Sequence, residues 1–150
     1  MEIPSHIQIY TLLKDIQDFC ILHFKDIKHT KEAPSHFYIT FPVRNDVSLI
    51  ICIITSQKES RESYYKRVNA KAIKSLVFVD KDTFSFLTKR SVIDCNQAEV
   101  ITKEELKNRI DVDFPCEKKN QIVPFNLKED IQNAIIQSPL ISPIIKNFIS

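Results

Sequence analysis

Apolar residues near the N-terminus recur at the spacing of an α-helix. They lie three or four positions apart, at Ile9, Leu12, Leu13, Ile16 and Phe19. Lys14, Asp15 and Asp18 fall largely between them, on the opposite face. Because side chains at this spacing share one side of a helix, the pattern predicts an amphipathic entry helix over residues 6–20.

Two segments further along the chain have the composition of β-strands. Residues 36–41 are aromatic and β-branched and are followed by Pro42, and residues 48–55 form an unbroken apolar run that is typical of a central strand. Asn45 and Asp46 lie between them and can adopt the turn conformation that glycine would otherwise provide. The pattern therefore predicts a β-hairpin.

The middle of the chain alternates between a basic segment and short strands. Residues 56–74 are polar and basic and predict a loop that contains a short helix. Short β-branched and apolar runs then predict a meander of three strands, separated by polar turns, at residues 75–79, 83–87 and 90–95.

Three helix starts are visible in the C-terminal third. Residues 102–105 and 126–129 have the capping-box pattern, and Ser142-Pro143 offers a cap and a first-turn proline for a last helix that ends near Phe148. The second of these helices is predicted to bury Ile131, Ala134 and Ile135. Residues 113–124 are the most linker-like segment.

Five strands with short connections between helical ends predict a single α+β domain over residues 1–150. We expect a small SH3-like, mostly antiparallel β-barrel at about residues 34–110, with flanking helices that include a C-terminal extension at about residues 121–150. The alternative is an open antiparallel sheet with helices on one face. The sequence does not choose between the two.

The chain contains no glycine among its 150 residues, where average usage would give about ten. A phosphate-binding P-loop, a dinucleotide fingerprint and a nucleophile elbow all require glycine, because a side chain blocks close backbone approach or a positive φ. The composition therefore argues against kinases, nicotinamide-dependent enzymes and hydrolases of the elbow type.

The remaining composition favours a cytoplasmic protein without a metal or cofactor. No apolar run is long enough to span a bilayer and no secretion signal is visible, so we expect no membrane association. We expect the four scattered cysteines to be buried thiols, and their spacing does not predict zinc: Cys20, Cys52, Cys95 and Cys116. A net charge of +2 permits RNA binding without proving it.

Polar side chains that could carry chemistry lie at the ends of the predicted hairpin. Thr55, Ser56 and Gln57 end the most apolar strand, and a strand end positions side chains reproducibly. In an antiparallel hairpin His36 falls at the same end as Thr55, and Arg44 falls at the other. His36 and Thr55 with Ser56 are therefore predicted to form one site, although a plain polar strand end is the alternative.

A histidine can exchange protons with a ribose 2′-hydroxyl or a leaving 5′-oxygen, so His36 is predicted to be a general acid or base. Hydroxyl and amide groups can hold the phosphate oxygens. The predicted RNA-binding residues are Gln57, Lys58, Arg61, Tyr64, Lys66, Arg67 and Lys71. The alternatives are an exposed edge-strand histidine and an ordinary solvated loop.

A resemblance to a known family appears at residues 87–97, Leu-Thr-Lys-Arg-Ser-Val-Ile-Asp-Cys-Asn-Gln, and in the helix that follows. This stretch resembles the C-terminal half of the MazF and PemK toxin family, in which a strand of the type Leu-x-Lys-x-Ser-Val-Ile precedes a Gln and a short closing helix. The hairpin that ends in Ile53-Ile54-Thr55-Ser56 is similar to that family's Thr-Ser strand end. The resemblance covers roughly residues 34–110.

The resemblance implies an SH3-like barrel that forms a homodimer, cleaves single-stranded RNA and is blocked by a cognate antitoxin protein. Thr55 and Ser56 match the family's hydroxyl pair. The family's catalytic arginine stands in an Arg-Pro pair, whereas this chain has Ala33-Pro34-Ser35-His36. Either His36 or a basic residue such as Lys31 has taken over proton transfer, or the chain has the fold without the activity.

The sequence thus predicts a MazF/PemK-like toxin, a sequence-selective, metal-independent endoribonuclease. One alternative is a catalytically inactive module of the same barrel fold that binds RNA or a protein. Another is a cytosolic adaptor in which the polar strand ends have no chemical role.

Overall fold

The computed structural model describes residues 5–43 and 47–149, and these fall into two compact units. Unit 1 comprises Met1–Ile51 and Val100–Gln121, and unit 2 comprises Cys52–Glu99 and Ile122–Ser150. Arg44, Asn45 and Asp46, the predicted hairpin turn, lie outside the described residues. The single-domain prediction stays a prediction.

Twelve helices and strands can be followed along the described residues. In chain order they are α1 (His6–Lys14), β1 (Cys20–Phe24), β2 (His36–Pro42), β3 (Ser48–Thr55), α2 (Lys58–Val68), β4 (Leu76–Val79), β5 (Ser91–Asp94), β6 (Glu99–Thr102), α3 (Lys103–Arg109), β7 (Glu117–Lys119), α4 (Phe125–Gln137) and α5 (Pro143–Asn147). Two 3₁₀ helices, Ala70–Ser75 and Cys95–Gln97, precede β4 and β6. None of the described helices is long and apolar enough to cross a membrane.

The strands form one seven-stranded sheet in the order β4-β5-β3-β2-β1-β7, and β6 pairs with β3 beside this path. β1 pairs antiparallel with β2 and with β7, and β5 pairs antiparallel with β3 and with β4. The fold is therefore α+β with an open antiparallel sheet, which confirms the fold class at this level.

Unit 1 is built on the pairing of β1 with β2. The register runs from Cys20 opposite Thr40 to Phe24 opposite His36, and the rings of Phe24 and Tyr38 stack with centroids 4.4 Å apart. Helix α1 begins with the capping box of Ser5 and buries Ile9 and Leu13, while α3 begins with the predicted capping box of Thr102 and Glu105.

The entry helix is shorter than predicted, because it ends at Lys14 and not near residue 20. Ile16 and Phe19 continued the helical spacing but belong to the connection, in which Phe19 stacks on Phe41 at 4.3 Å. Residues 20–24 form β1, which pairs on both edges with β2 and β7. The helical spacing of apolar residues therefore does not extend the helix here, because the following residues pair with two strands of the sheet.

Unit 2 is built around α2, β4, β5 and α4. Tyr65, Ala72, Leu76 and Val92 form a buried apolar cluster. Helix α4 buries the predicted Ile131, Ala134 and Ile135 together with Leu127. The Ser75 hydroxyl donates to the Ala134 carbonyl oxygen at 2.7 Å, which ties the segment before β4 to α4.

The predicted strand at residues 83–87 is wrong, since this segment consists of turns. The N–H groups of Thr83 and Phe84 donate to the Asp80 carbonyl oxygen at 3.1 and 3.0 Å, and the Leu87 N–H donates to the Phe84 carbonyl oxygen at 3.1 Å. Phe84 and Leu87 are both buried at a separation of three residues, which is a turn spacing rather than the alternation of a strand.

Three other boundaries differ from the sequence predictions. The segment at 56–74 is mostly helical, because α2 spans 11 residues and a 3₁₀ helix follows it. Helix α4 begins at Phe125 after the extended Pro124, so Asn126 lies inside the helix and is not its cap. The linker-like segment contains β7, a three-residue strand formed by pairing with β1 rather than by an apolar pattern.

The other predicted elements are confirmed. Strands at 36–41, 48–55, 75–79 and 90–95 match β2, β3, β4 and β5 to within about one residue. Helix α5 starts with Pro143 after the cap Ser142. All four cysteines are buried free thiols, as predicted.

Candidate functional site

The predicted hydroxyl pair lies where β3 ends and α2 begins. Thr55 is the last residue of β3, and Ser56 and Gln57 connect it to Lys58 at the start of α2. Thr55 is 8 % exposed, and its Oγ1 accepts a hydrogen bond from the Gln57 backbone N–H at 3.2 Å. Ser56 is exposed. A buried hydroxyl thus holds the turn while its neighbour presents a hydroxyl to solvent.

The N-terminus of α2 is oriented to receive an anion. Gln57 is its N-cap, and within the described residues the Gln57 side chain makes no capping hydrogen bond. The first N–H groups of a helix and its dipole favour negative charge. Lys58 adds a cation in the first turn, partly offset by Glu59. Ser56, the helix N-terminus and Lys58 together provide donors that a phosphate group would require.

A buried carboxylate fixes one side of α2. Asp94 is 0 % exposed, and its Oδ2 accepts from Arg61 Nη1 at 2.8 Å and from the Tyr65 hydroxyl at 2.7 Å. Its Oδ1 accepts from the backbone N–H and the side-chain Nδ2 of Asn96 at 3.1 and 3.3 Å. Four donors therefore satisfy the carboxylate. The Arg61 guanidinium has five N–H donors, and its side chain is 23 % exposed.

The same network continues to the end of α4. Asn96 Nδ2 also donates to the Ala72 carbonyl oxygen at 2.8 Å, and the Ser138 hydroxyl donates to Asn96 Oδ1 at 2.7 Å. Ser138 Oγ in turn accepts from the Leu140 N–H at 3.2 Å. Asn96 and Ser138 are both buried. Within unit 2, a continuous set of buried polar contacts thus runs from Arg61 to the residues after α4.

The two tyrosines of α2 have different environments. Tyr65 is buried, and burial, followed by the hydrogen bond to Asp94, raises the pKa of its hydroxyl well above the ordinary value, so Tyr65 remains a donor rather than a base. Tyr64 is 46 % exposed, and Arg67 Cζ lies 6.0 Å from its ring centroid. Tyr64 is therefore the tyrosine that could stack on a base.

The remaining predicted RNA-binding residues are cations at the surface of unit 2. Lys66 and Arg67 are exposed in the last turn of α2, and Lys71 is exposed on the 3₁₀ helix that follows. The structure thus places all seven predicted RNA-binding residues on α2, its N-cap and the adjoining 3₁₀ helix. Arg61 differs from the others because it binds a buried carboxylate.

His36 lies in unit 1, where it opens β2 opposite Phe24. Its ring centroid is 5.3 Å from that of His29, with the planes at 71°, and 6.4 Å from that of Tyr38. Thr55 and Ser56 belong to unit 2. The prediction that His36 works with these hydroxyls therefore stays a prediction.

Buried charges hold the connection that carries His29. Lys25 is 3 % exposed, and its Nζ donates to the carbonyl oxygens of Thr30 and Ala33 at 2.6 and 2.7 Å. Asp26 is 0 % exposed and accepts hydrogen bonds from the Arg109 guanidinium and, at 3.0 Å, from the Lys28 N–H. These hydrogen bonds thus hold residues 25–33 of the connection between β1 and β2 in place.

The surroundings of His29 favour its neutral form. Burial lowers the pKa of its imidazole; Asp26 opposes this, and Lys28, Lys25 and Arg109 add to it. Its Nδ1 is buried and has no hydrogen-bond partner among the described residues. A second protonated nitrogen would therefore place a donor where the described part of the chain offers no acceptor.

Within residues 5–43 and 47–149, no three or more His, Cys, Asp and Glu side chains are grouped so that they could hold a metal ion. Cys95 and Cys116 do not have the environment of nucleophiles. The hydrogen bond with Cys52, followed by burial, raises the pKa of the Cys95 thiol well above its usual value, and burial raises that of Cys116 to about 11.

Comparison with known proteins does not assign the chain to a family. It matches neither a protein-family model nor a curated protein. Functional inference therefore depends on the two units themselves.

The sequence predictions omitted Asp94 and His29. Asp94 had a visible signal, because a carboxylate within the apolar run Ser-Val-Ile-Asp-Cys must find donors if the strand is buried. His29 had none, since it lies in the connection between β1 and β2, where no regular element places it beside His36.

Proposed function

We propose that this chain is a MazF/PemK-like toxin, a sequence-selective endoribonuclease that cleaves single-stranded RNA without a metal ion. The observation that supports RNA binding most is the arrangement on α2. The exposed Ser56, the helix N-terminus and the cations of α2 follow one another along α2 and the turn that precedes it. Such a series suits a phosphate backbone.

The proposed roles follow from these positions. A phosphate group accepts hydrogen bonds from the Ser56 hydroxyl and the first N–H groups of α2, and Thr55 holds the turn and contributes its own hydroxyl in the transition state. Tyr64, with Arg67 beside its ring, stacks on an unpaired base. His36, in unit 1, remains the predicted proton-transfer residue.

The proposal includes a sheet that closes as an SH3-like barrel, a homodimer, an antitoxin partner and a cytoplasmic location. Curling of the sheet is supported by the pairing of both β5 and β6 with β3, since the 3₁₀ turn Cys95–Gln97 between them interrupts the strand. Closure would remove exposed edges.

A catalytically inactive binding module is the second candidate. It is favoured by the sequence Ala33-Pro34, where the resembled family has its catalytic arginine, and by the contact of Arg61 with Asp94, which gives that arginine a structural role. The two candidates differ in one outcome, because only the enzyme releases cut RNA.

Cleavage is tested with purified chain and single-stranded RNA in the presence of a chelator. We expect products with 2′,3′-cyclic phosphates, and a loss of about 100- to 1,000-fold in rate when Thr55→Ala and Ser56→Ala are combined, the scale of a lost oxyanion donor. Ser63→Ala, an exposed serine on the same helix, is the matched control. Binding without cleavage would favour the inactive module.

RNA affinity is tested by its dependence on salt. Each phosphate contact releases counterions. Four single substitutions to Gln should therefore each lower the slope of log affinity against log salt concentration by about one unit, namely at Lys58, Lys66, Arg67 and Lys71. Arg61→Gln belongs to the same set but also breaks the contact with Asp94. Lys89→Gln, on an exposed turn of unit 2, is the control. Unchanged slopes in all five variants would place the RNA elsewhere.

A further inference from the structure

Two of the four buried cysteines lie on neighbouring segments of unit 2. Cys52 lies within β3, and Cys95 is the first residue after β5. The two strands pair antiparallel, with Ile54 opposite Ile93. Continued two residues beyond this pair, the same register brings Cys52 opposite Cys95, and a hydrogen bond joins the two thiols. Two thiols that are distant in sequence are thus in contact inside unit 2.

We propose that Cys52 and Cys95 are an oxidisable pair of thiols, which hydrogen peroxide converts into a disulfide that links β3 to the turn after β5. This inference is independent of the proposed function. Residues directly opposite each other in an antiparallel ladder have Cα atoms about 4.5 or 5.5 Å apart, and both spacings lie within the range of about 4.4–6.8 Å that a disulfide requires. The bond can therefore form while the strands stay paired.

The two cysteines of unit 1 have different surroundings. Cys20 is opposite Thr40 on β2, and its Sγ lies 3.2 Å from the Thr40 Oγ1. Cys116 directly precedes β7, and the register of β7 places it at the opposite end of β1 from Cys20. Among the four cysteines, all of which lie in the described part of the chain, only Cys52 and Cys95 are brought opposite each other by strand register.

The oxidation balances with peroxide as its one co-reactant. The hydrogen bond with Cys52, followed by burial, raises the pKa of the Cys95 thiol, so Cys52 is the sulfur that attacks first. The Cys52 sulfur forms a bond to one peroxide oxygen, the O–O bond breaks, and the other oxygen leaves as water with the thiol proton, which gives a sulfenic acid. The Cys95 sulfur then forms the S–S bond, the S–O bond breaks, and the departing hydroxide takes the Cys95 proton. Two thiols lose two electrons, and one peroxide becomes two waters.

Burial of the pair restricts the oxidant to a small molecule. Cys52 and Cys95 are 1 % and 0 % exposed, so a bulky disulfide such as oxidised glutathione does not reach either sulfur in the folded chain. Hydrogen peroxide is small and uncharged, and a local opening of the structure is enough to admit it. The bond that it forms closes residues 52–95, which include all of α2, into one covalent loop.

The full chain is reduced, freed of reductant, exposed to hydrogen peroxide at neutral pH and quenched with catalase, and its remaining thiols are alkylated in denaturant. We expect the monomer to lose two of its four alkylatable thiols, dithiothreitol to restore them, and non-reducing peptide mapping to join the peptides of Cys52 and Cys95. The same treatment in urea should give a mixture of pairings, because unfolding removes the register. A folded chain that keeps all its thiols, loses thiols without a crosslink or gives the mixture found in urea would overturn the inference.

Cys20→Ala is the matched control, because Cys20 is also a buried cysteine of a strand whose thiol makes a hydrogen bond. This variant should still form the crosslink. Cys52→Ala and Cys95→Ala should each keep all their remaining thiols under the same treatment, and Cys52→Ser replaces the first of these if the alanine variant unfolds. Variants without Cys52 or Cys95 that lose thiols as the parent does would show that the pair is not the site of oxidation.

Discussion

Among the described residues, each unit contains one fully buried aspartate bound to a partly exposed arginine, but the two aspartates have different partners. In unit 1, Asp26 is surrounded by cations, with Arg109 in contact and Lys28 Nζ at 4.0 Å. In unit 2, Asp94 receives one guanidinium, from Arg61, and otherwise neutral donors from Tyr65 and Asn96. The side chains of Arg109 and Arg61 are 18 % and 23 % exposed.

The difference separates two uses of a buried charge. Around Asp26 the side-chain partners are cations that can turn toward water, so the cluster joins the end of β1 to the end of α3 by charge. Around Asp94 the hydroxyl of Tyr65 and the amide of Asn96 are themselves buried. In the second cluster, the buried Tyr65 and Asn96 donors therefore depend on the Asp94 carboxylate as their hydrogen-bond acceptor. The same carboxylate determines the position of Arg61 on α2.

The largest expected effect is on stability when Asp94 is removed. Asp94→Ala leaves the buried Tyr65 hydroxyl and Asn96 amide with one acceptor fewer and Arg61 without its ion pair. We expect a loss of about 3–5 kcal/mol in the free energy of unfolding, measured by urea denaturation. Asp26→Ala should cost less, about 1–3 kcal/mol, because its cationic partners can reach solvent. The reverse order would contradict the comparison.

The next effect isolates a single donor of the Asp94 cluster. Tyr65→Phe removes the hydroxyl that donates to Asp94 at 2.7 Å and keeps the buried ring. A hydrogen bond to a charged group contributes about 1.5–3 kcal/mol, which is the loss we expect. Tyr64→Phe, at the exposed neighbouring position, should change the unfolding free energy by less than about 0.5 kcal/mol. Equal effects from the two tyrosines would show that Asp94 does not depend on Tyr65.

A smaller effect is expected from the pH dependence of Asp26. Burial raises the pKa of this carboxyl, but the hydrogen bonds from Arg109 and Lys28 outweigh burial and leave the pKa below 3.8, its ordinary value. The folded state therefore gains stability above that ordinary value and loses it as the pH falls through the lower folded pKa. Urea denaturation between pH 6 and pH 2 should show parent and Asp26→Asn converging at low pH. A constant gap between them would contradict the lowered pKa.

Sequence reasoning succeeded where local chemistry determines the structure. The Thr102 capping box, the proline start of α5 and the apolar run of β3 each specify their element within a few residues, and all three were predicted correctly. It failed where a partner distant in sequence decides. Residues 20–24 became a strand because β2 and β7 pair with them, and residues 83–87 turned because Asp80 accepts their N–H groups.

The candidate sites show the same division. The position of Thr55 at the end of β3 follows from an apolar run that ends in polar residues, so it could be predicted. The contact of Arg61 with Asp94 joins residues 33 apart along the chain, and no spacing rule relates them. The connection that brings His29 beside His36 is likewise held by Lys25, whose carbonyl partners have no sequence signature.

The smallest expected effect sets the scale for the two buried aspartates. Lys107 and Glu104 form an ion pair at 2.7 Å on α3, and the Glu104 side chain is 62 % exposed. Its distance is similar to that between Arg61 and Asp94, but solvent screens it and both side chains lose entropy on pairing. We expect Glu104→Gln to change the unfolding free energy by less than about 0.5 kcal/mol in urea denaturation at low salt, and by still less at 1 M salt. If this substitution cost as much as Asp26→Ala, distance rather than burial would decide the strength of these pairs, and the contrast between the two units would lose its physical basis.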